Sequence, residues 1–360
     1  MTGLQINGLG LVGGFGCGAE DLQVALEKRE APVSRVNLRD HLFPLFQADT
    51  AALGNYLNKR ALRRIDHFSR LALLGAFQAL EDVGPLELNR ERLGVIIGSG
   101  FGALKTTFGF LDSIIADGDA CASPTAFSNS VHNAAAAHIS MQLKLTGPSL
   151  TVSQFDQSLV SGLLSARQWL AEGRVEAVLL GVVDEYCQVL GYCWERYFGE
   201  QISSKMRPLD FDHFSAVPGE GAAFFLLQAE ADCAAKYGII DSVVMGQLWG
   251  SRPTLIPGQP LVLGCEGHPL NGGIYRQQLP ENASVACYTP LYGAAPVTQG
   301  FDLAVAALTL KRGEMFPSAD SGGDYYSGSV VTEARKVNRL TCLRYGFGGE
   351  YAVIQLKGNG

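Results

Sequence analysis

No stretch of the 360-residue chain reaches the run of roughly 18 apolar residues that spans a bilayer, so no membrane-crossing helix is expected. CxxC and HxxxH spacings are missing. The eight cysteines, Cys17, Cys121, Cys187, Cys193, Cys233, Cys265, Cys287 and Cys342, stand apart, mostly in apolar or glycine-rich strings, which predicts reduced thiols in a cytoplasmic protein and neither a disulfide framework nor a metal centre. His132 and His138, six positions apart, would fall on different faces of a helix and cannot act as a ligand pair. Positive charge is sparse, with 28 Lys and Arg against 35 Asp and Glu and a formal net charge of -7. Without a basic stripe or an aromatic-basic alternation, a nucleic-acid partner is not expected, although a local basic patch for an acidic carrier protein remains compatible with that balance. The first residues show no basic segment followed by an apolar run and a small-residue cleavage site, so a soluble protein without a targeting segment is expected. A GxSxG elbow is absent, which removes the usual hydrolase reading.

What is present is an ordinary globular balance, 47% hydrophobic and 18% charged, in a chain long enough for one large core or two fused halves. Residues 4–12 alternate as a strand and run through glycines into a helix over about 19–28. The string GLGLVGGFG invites a dinucleotide-binding reading, but no acidic residue ends a second strand about 20 positions on; tight strand-helix packing is the better use of these glycines. A loop rich in aromatic and acidic residues follows, and then a helix that is apolar on nearly every face up to Leu80. Continuous apolar runs at 93–99, 175–183, 221–227 and 239–246 predict strands buried on both faces, and apolar helices are expected over 159–170 and 301–310. The chain closes with a glycine turn at 345–349 feeding a last strand. Such alternation predicts a layered α/β protein with a division near residue 230, hence units 1–230 and 231–360. Two unrelated α/β domains are the alternative.

Six strings in order, RRIDHFSRLALLGAFQALEDVG (63–84), GVIIGSGFGALKTT (94–107), SPTAFSNSVHNAAAAHIS (123–140), GPSLTVS (147–153), RPLDFDHFSAVPGEGAAFFLL (207–227) and YGFGGEYAVIQL (345–356), resemble the β-ketoacyl-ACP synthases of the thiolase fold. Most of all the chain resembles their degenerate partner subunits, the chain length factors. The resemblance implies an α/β thiolase-like fold with two pseudo-equivalent halves forming a five-layered αβαβα core.

Carried over position by position, the family's condensing residues are missing. The cysteine position, at the start of the helix after GPSLTVS, holds Asp156; a one-residue bulge would instead put Gln157 there, and chain length factors resemble this segment with glutamine at that place. A carboxylate tolerates a helix start but is no thiolate, since its acyl form would be a mixed anhydride. The first histidine position falls on Glu266 in Gly264–His268, with His268 two residues late, and the second histidine and its lysine fall in Tyr288–Ala294, where the position is Gly293 and neither basic residue is present. Only the glycine-turn peptides near Phe347 and Gly348 would survive as oxyanion donors. Gln157, Phe127, His132, Asn133, Phe347 and Gly348 are pocket or interface candidates, as are the apolar residues from Phe101 to Phe110.

Other nucleophiles are poorly supported. Cys265 next to Glu266 and near His268 would have its thiol held protonated by the carboxylate. Ser153 and Ser158 read as turn or cap residues. Asp184 and Glu185, adjacent at a strand end, should point to opposite faces.

The resemblance therefore implies a non-catalytic subunit, without cofactor or metal, that pairs with an active β-ketoacyl-ACP synthase and with acyl carrier protein in aryl polyene or polyketide assembly. Two other readings stay open: a malonyl-ACP decarboxylase-like homologue, and a homodimeric acyl- or carrier-binding protein without a catalytic partner.

Overall fold

A computed structural model describes residues 3–84, 89–198, 205–231 and 234–359. Cys233 lies outside the described residues. Ten strands carry the architecture: β1 (Leu4–Gly13), β2 (Leu93–Ser99), β3 (Ser149–Ser153), β4 (Ala177–Asp184), β5 (Gly221–Ala229), β6 (Ile239–Gln247), β7 (Leu261–Leu263), β8 (Ser284–Ala286), β9 (Arg339–Tyr345) and β10 (Glu350–Lys357). The first five lie in the order β3-β2-β4-β5-β1 and the second five in the order β8-β7-β9-β10-β6. In both, the first three strands of the order run parallel and the remaining pairings are antiparallel. The two sets are the same topology used twice, joined where Leu4 and Gln5 of β1 meet Ile240 and Ile239 of β6.

Side-chain alternation assigns the strands to layers. In β4, Val178, Leu180 and Val182 enter an inner core while Ala177, Leu179 and Val183 enter an outer one, and Ala223, Phe225 and Leu227 of β5 alternate in the same way with Ala222, Phe224 and Leu226. Both faces are dry, which is why these strands read as unbroken apolar runs. Helices α1 (His67–Val83) and α2 (Ala134–Leu143) cover the outer face of the first set. Between the two sets lie α3 (Ser158–Ala171) and α4 (Thr298–Arg312), whose Leu163, Ala166, Phe301 and Val305 share the inner core with both. Outside the second set, α5 (Pro269–Gln278) contributes Tyr275 to a third core. Helix, sheet, helix, sheet, helix is the expected five-layered order.

The expected elements match to within a few residues, and Asp66 caps α1 by accepting from Ser69 N. Glycine acts as packing here: a Cβ on Gly10 would stand 1.8 Å from the Gly75 carbonyl oxygen of α1, so β1 lies directly on the helix. Residues 34–45, part of the segment read as a loop, instead form a hairpin of Ser34–Leu38 with His41–Leu45.

Candidate functional site

The parallel strands of both sets end at one level, and the two central helices begin there. After β3 a 3-10 turn, Phe155–Gln157, leads into α3, with Phe155 held at a φ of 44°. That bend leaves the Phe155 ring largely exposed and puts Asp156 beneath it, 8% exposed. From the second set, Arg344 at the end of β9 shares the side-chain parity of Leu340 and Cys342, which face the inner core, so its guanidinium enters the same space at 2% exposure. The loop after β7 supplies Glu266 and His268, and Thr298 opens α4.

Arg344 ties these pieces together. Its Nε and Nη2 donate to Asp156 Oδ1 at 3.0 and 2.5 Å, and Nη2 lies 2.9 Å from Glu266 Oε1. Nη1 donates to Thr298 Oγ1 at 2.7 Å, while Thr298 Oγ1 and Ala295 N donate to Glu266 Oε1 at 2.7 and 3.1 Å. Burial pushes the Asp156 carboxyl above its usual range, opposed by Arg344 and reinforced by Glu266. Burial disfavours the charged guanidinium too, but the two carboxylates outweigh it and hold Arg344 firmly protonated. The partner of Asp156 at its helix start is thus a guanidinium 188 residues away, and desolvation dominates its ionisation.

Above this ion cluster is a cavity of about 360 Å³. His268 forms part of its wall, packed among Trp194, Phe198, Phe214 and Phe347 with ring centroids 4.9 to 5.4 Å away. Burial and then Arg344 push its imidazole down to about 3, so it stands neutral, with Nδ1 unpartnered among the described residues. Asp184 accepts from Ser99 Oγ and from the Gly100 and Phe101 amides, and burial still pushes it up to about 6. Glu185 accepts from Lys105 N and is pushed up to about 7 by burial. These neighbours do take different partners, yet both border the cavity.

The positions singled out in sequence divide. Asp156 and Glu266 converge on one guanidinium, and Phe347 borders the same cavity. Gly293, at a φ of 81°, sits in a turn where a Cβ would stand 2.7 Å from Phe46, so a side chain there would need the packing to move. Gln157 is buried, with both amide atoms unpartnered among the described residues, and it is Asp156 that meets Arg344. Gly348 is exposed in the turn before β10. Phe127, His132 and Asn133 are all exposed and away from the cavity; Phe127 pairs with Phe110 at 5.7 Å and the His132 ring packs over Gly102. Cys265 turns away from Glu266 and His268 to contact Cys287, Sγ to Sγ at 3.5 Å. Among the described residues bordering the cavity there is no cysteine, lysine or arginine. Arg344 was not anticipated; the available signal was a lone cation on the inward face of an apolar strand, which requires a buried carboxylate.

Residues 36–232 match the family described as "Beta-ketoacyl synthase, N-terminal domain", a span that includes Asp156 and stops short of Glu266 and Arg344. The chain is 28% identical over 203 residues to the 3-oxoacyl-[acyl-carrier-protein] synthase 2 of Vibrio cholerae, covering 53% of this chain and 48% of that protein. It thus spans about half the length of the curated relatives it matches. Among solved structures, the ishigamide ketosynthase/chain length factor superposes with a TM-score of 0.81 at 16% identity, over 100% of both chains. A ketosynthase in complex with its chain length factor from Xenorhabdus doucetiae gives 0.78 at 17% identity, over 99% of this chain and 98% of that one. The fold is the thiolase-like fold of the ketosynthases, and the chain belongs to the β-ketoacyl synthase family.

Proposed function

We propose that this chain is a non-catalytic, chain-length-factor-like subunit that pairs with an active β-ketoacyl-ACP synthase to extend chains carried on acyl carrier protein, in a polyene or polyketide assembly of the aryl polyene kind. The observation that supports the reading is the Asp156–Arg344–Glu266 cluster, an arginine held between two carboxyl groups at the positions that the resemblance assigns to the nucleophile and the first histidine. Condensation needs a thiolate to accept the acyl group and N–H donors to stabilise the enolate and oxyanion. Here a carboxyl group stands at the position that the resemblance assigns to the thiolate, with its Oδ1 held by Arg344, and the His268 imidazole bordering the cavity is neutral and packed among aromatic rings. Decarboxylation of a malonyl thioester fits less well, because its carboxylate would enter beside Asp156, Asp184, Glu185 and Glu266.

Purification of the chain alone and together with a ketosynthase encoded beside it tests the proposal. A stable pair that condenses, with a chain that is inert alone, is the expected result. Condensation by the chain alone overturns it, acetyl-ACP formation from malonyl-ACP would favour a decarboxylase, and a homodimer that refuses every ketosynthase would favour a stand-alone binding protein.

A further inference from the structure

We propose that the cavity above Arg344 binds a small organic cation, an alkylammonium, rather than an acyl group or an anion. Five carboxylate side chains border it, Asp156, Asp184, Glu185, Glu266 and Glu350, and no lysine or arginine does so among the described residues. Arg344, reaching in from beneath, makes its contacts with Asp156 through Oδ1 and with Glu266 through Oε1. The second oxygens, Asp156 Oδ2 and Glu266 Oε2, receive no hydrogen bond from the described residues, although the two residues are only 8% and 4% exposed. Two carboxyl groups thus share one guanidinium at the cavity floor. Buried charge of one sign is costly unless a counter-charge reaches it, and an ammonium group supplies both the charge and N–H donors for the open oxygens.

The walls fit the rest of such a molecule. Phe101, Phe155, Trp194, Phe198 and Phe347 border the cavity, offering ring faces for a cation and an apolar lining for an alkyl tail. A volume of about 360 Å³ admits a short chain. A metal ion is a poorer occupant, because among the described residues no three His, Cys, Asp or Glu side chains gather in a group able to hold one. The inference stands apart from the subunit reading: it concerns what the remodelled cavity holds, whether or not a ketosynthase is bound.

Calorimetric titration of the full chain with hexylammonium, hexanol and hexanoate, three ligands of one length and different charge, tests it. Hexylammonium should bind at least about tenfold more tightly than hexanol, a difference of about 1.4 kcal/mol, and hexanoate should not bind. Glu266→Gln, which keeps an acceptor for Thr298, should weaken hexylammonium by about tenfold with no change in hexanol binding. Equal affinity for the three ligands, tighter hexanoate, or hexylammonium binding that ignores a folded Glu266→Gln variant would overturn the proposal. Should that variant fail to fold, the ligand series on the unaltered chain decides.

Discussion

A guanidinium at 2% exposure is tolerable only because two carboxyl groups and a threonine hydroxyl receive it, and removing it leaves Asp156 and Glu266 adjacent, buried and without their cation. Arg344→Met should therefore destabilise the chain by about 3–5 kcal/mol, read as a lower denaturation midpoint in urea. Adding Asp156→Asn and Glu266→Gln to the same chain should recover most of the loss, because the cost lies in uncompensated charge and not in lost packing. At this scale the sequence was partly legible. Asp156 and Glu266 were singled out by their strings alone. Their common partner could not be placed, since Arg344 lies 188 residues from Asp156 and no local pattern joins the two.

Elements buried on both sides were the easiest to read, because β4, β5 and α4 are apolar on every face that packs. The hairpin at 34–45 was missed for a converse reason. Its two-residue turn is Arg39-Asp40, with Arg39 at a φ of 53°, and lacks the glycine or asparagine that announces such turns. Apolar helix α4 also hides Asp302, which accepts from the Tyr292 hydroxyl and is pushed up to about 7 by burial. Asp184 at about 6 and Glu185 at about 7 are shifted the same way. A raised folded-state value means that the native chain holds more protons than the unfolded one, so this stability is present below about pH 4 and is lost as pH rises toward about 7. His268, held down at about 3, and His138, also lowered by burial, have the opposite sign, costing stability as pH falls below about 6.5. His67, raised by Glu220 against its burial, adds to the loss at rising pH. Above about pH 6.5 the carboxylates and His67 therefore act alone, and the melting temperature should fall from about pH 6.5 to about 8. Asp302→Asn, whose amide oxygen still accepts from Tyr292, should flatten that slope when melting is followed across the same range.

For the molecule as a whole, one topology repeated twice brings two helix starts and the ends of both sheets to a single point, where the Asp156–Arg344–Glu266 cluster lies. The layered fold could be read from apolar runs and ordered strings; the chemistry of the meeting point could be read only as an absence until the third dimension supplied Arg344. Under the proposed function Asp156 is structural, and any condensation by the assembled pair is carried by the partner. Asp156→Asn tests it most directly, since its amide oxygen can still accept from Arg344 and Glu266 still supplies a counter-charge. The measurement is the mass spectrum of carrier-bound products made by the variant paired with its ketosynthase, alongside the amount of complex formed. Full complex formation and most of the original product would support the claim, whereas an intact complex that makes no product would show that the Asp156 carboxylate takes part in the chemistry and contradict it.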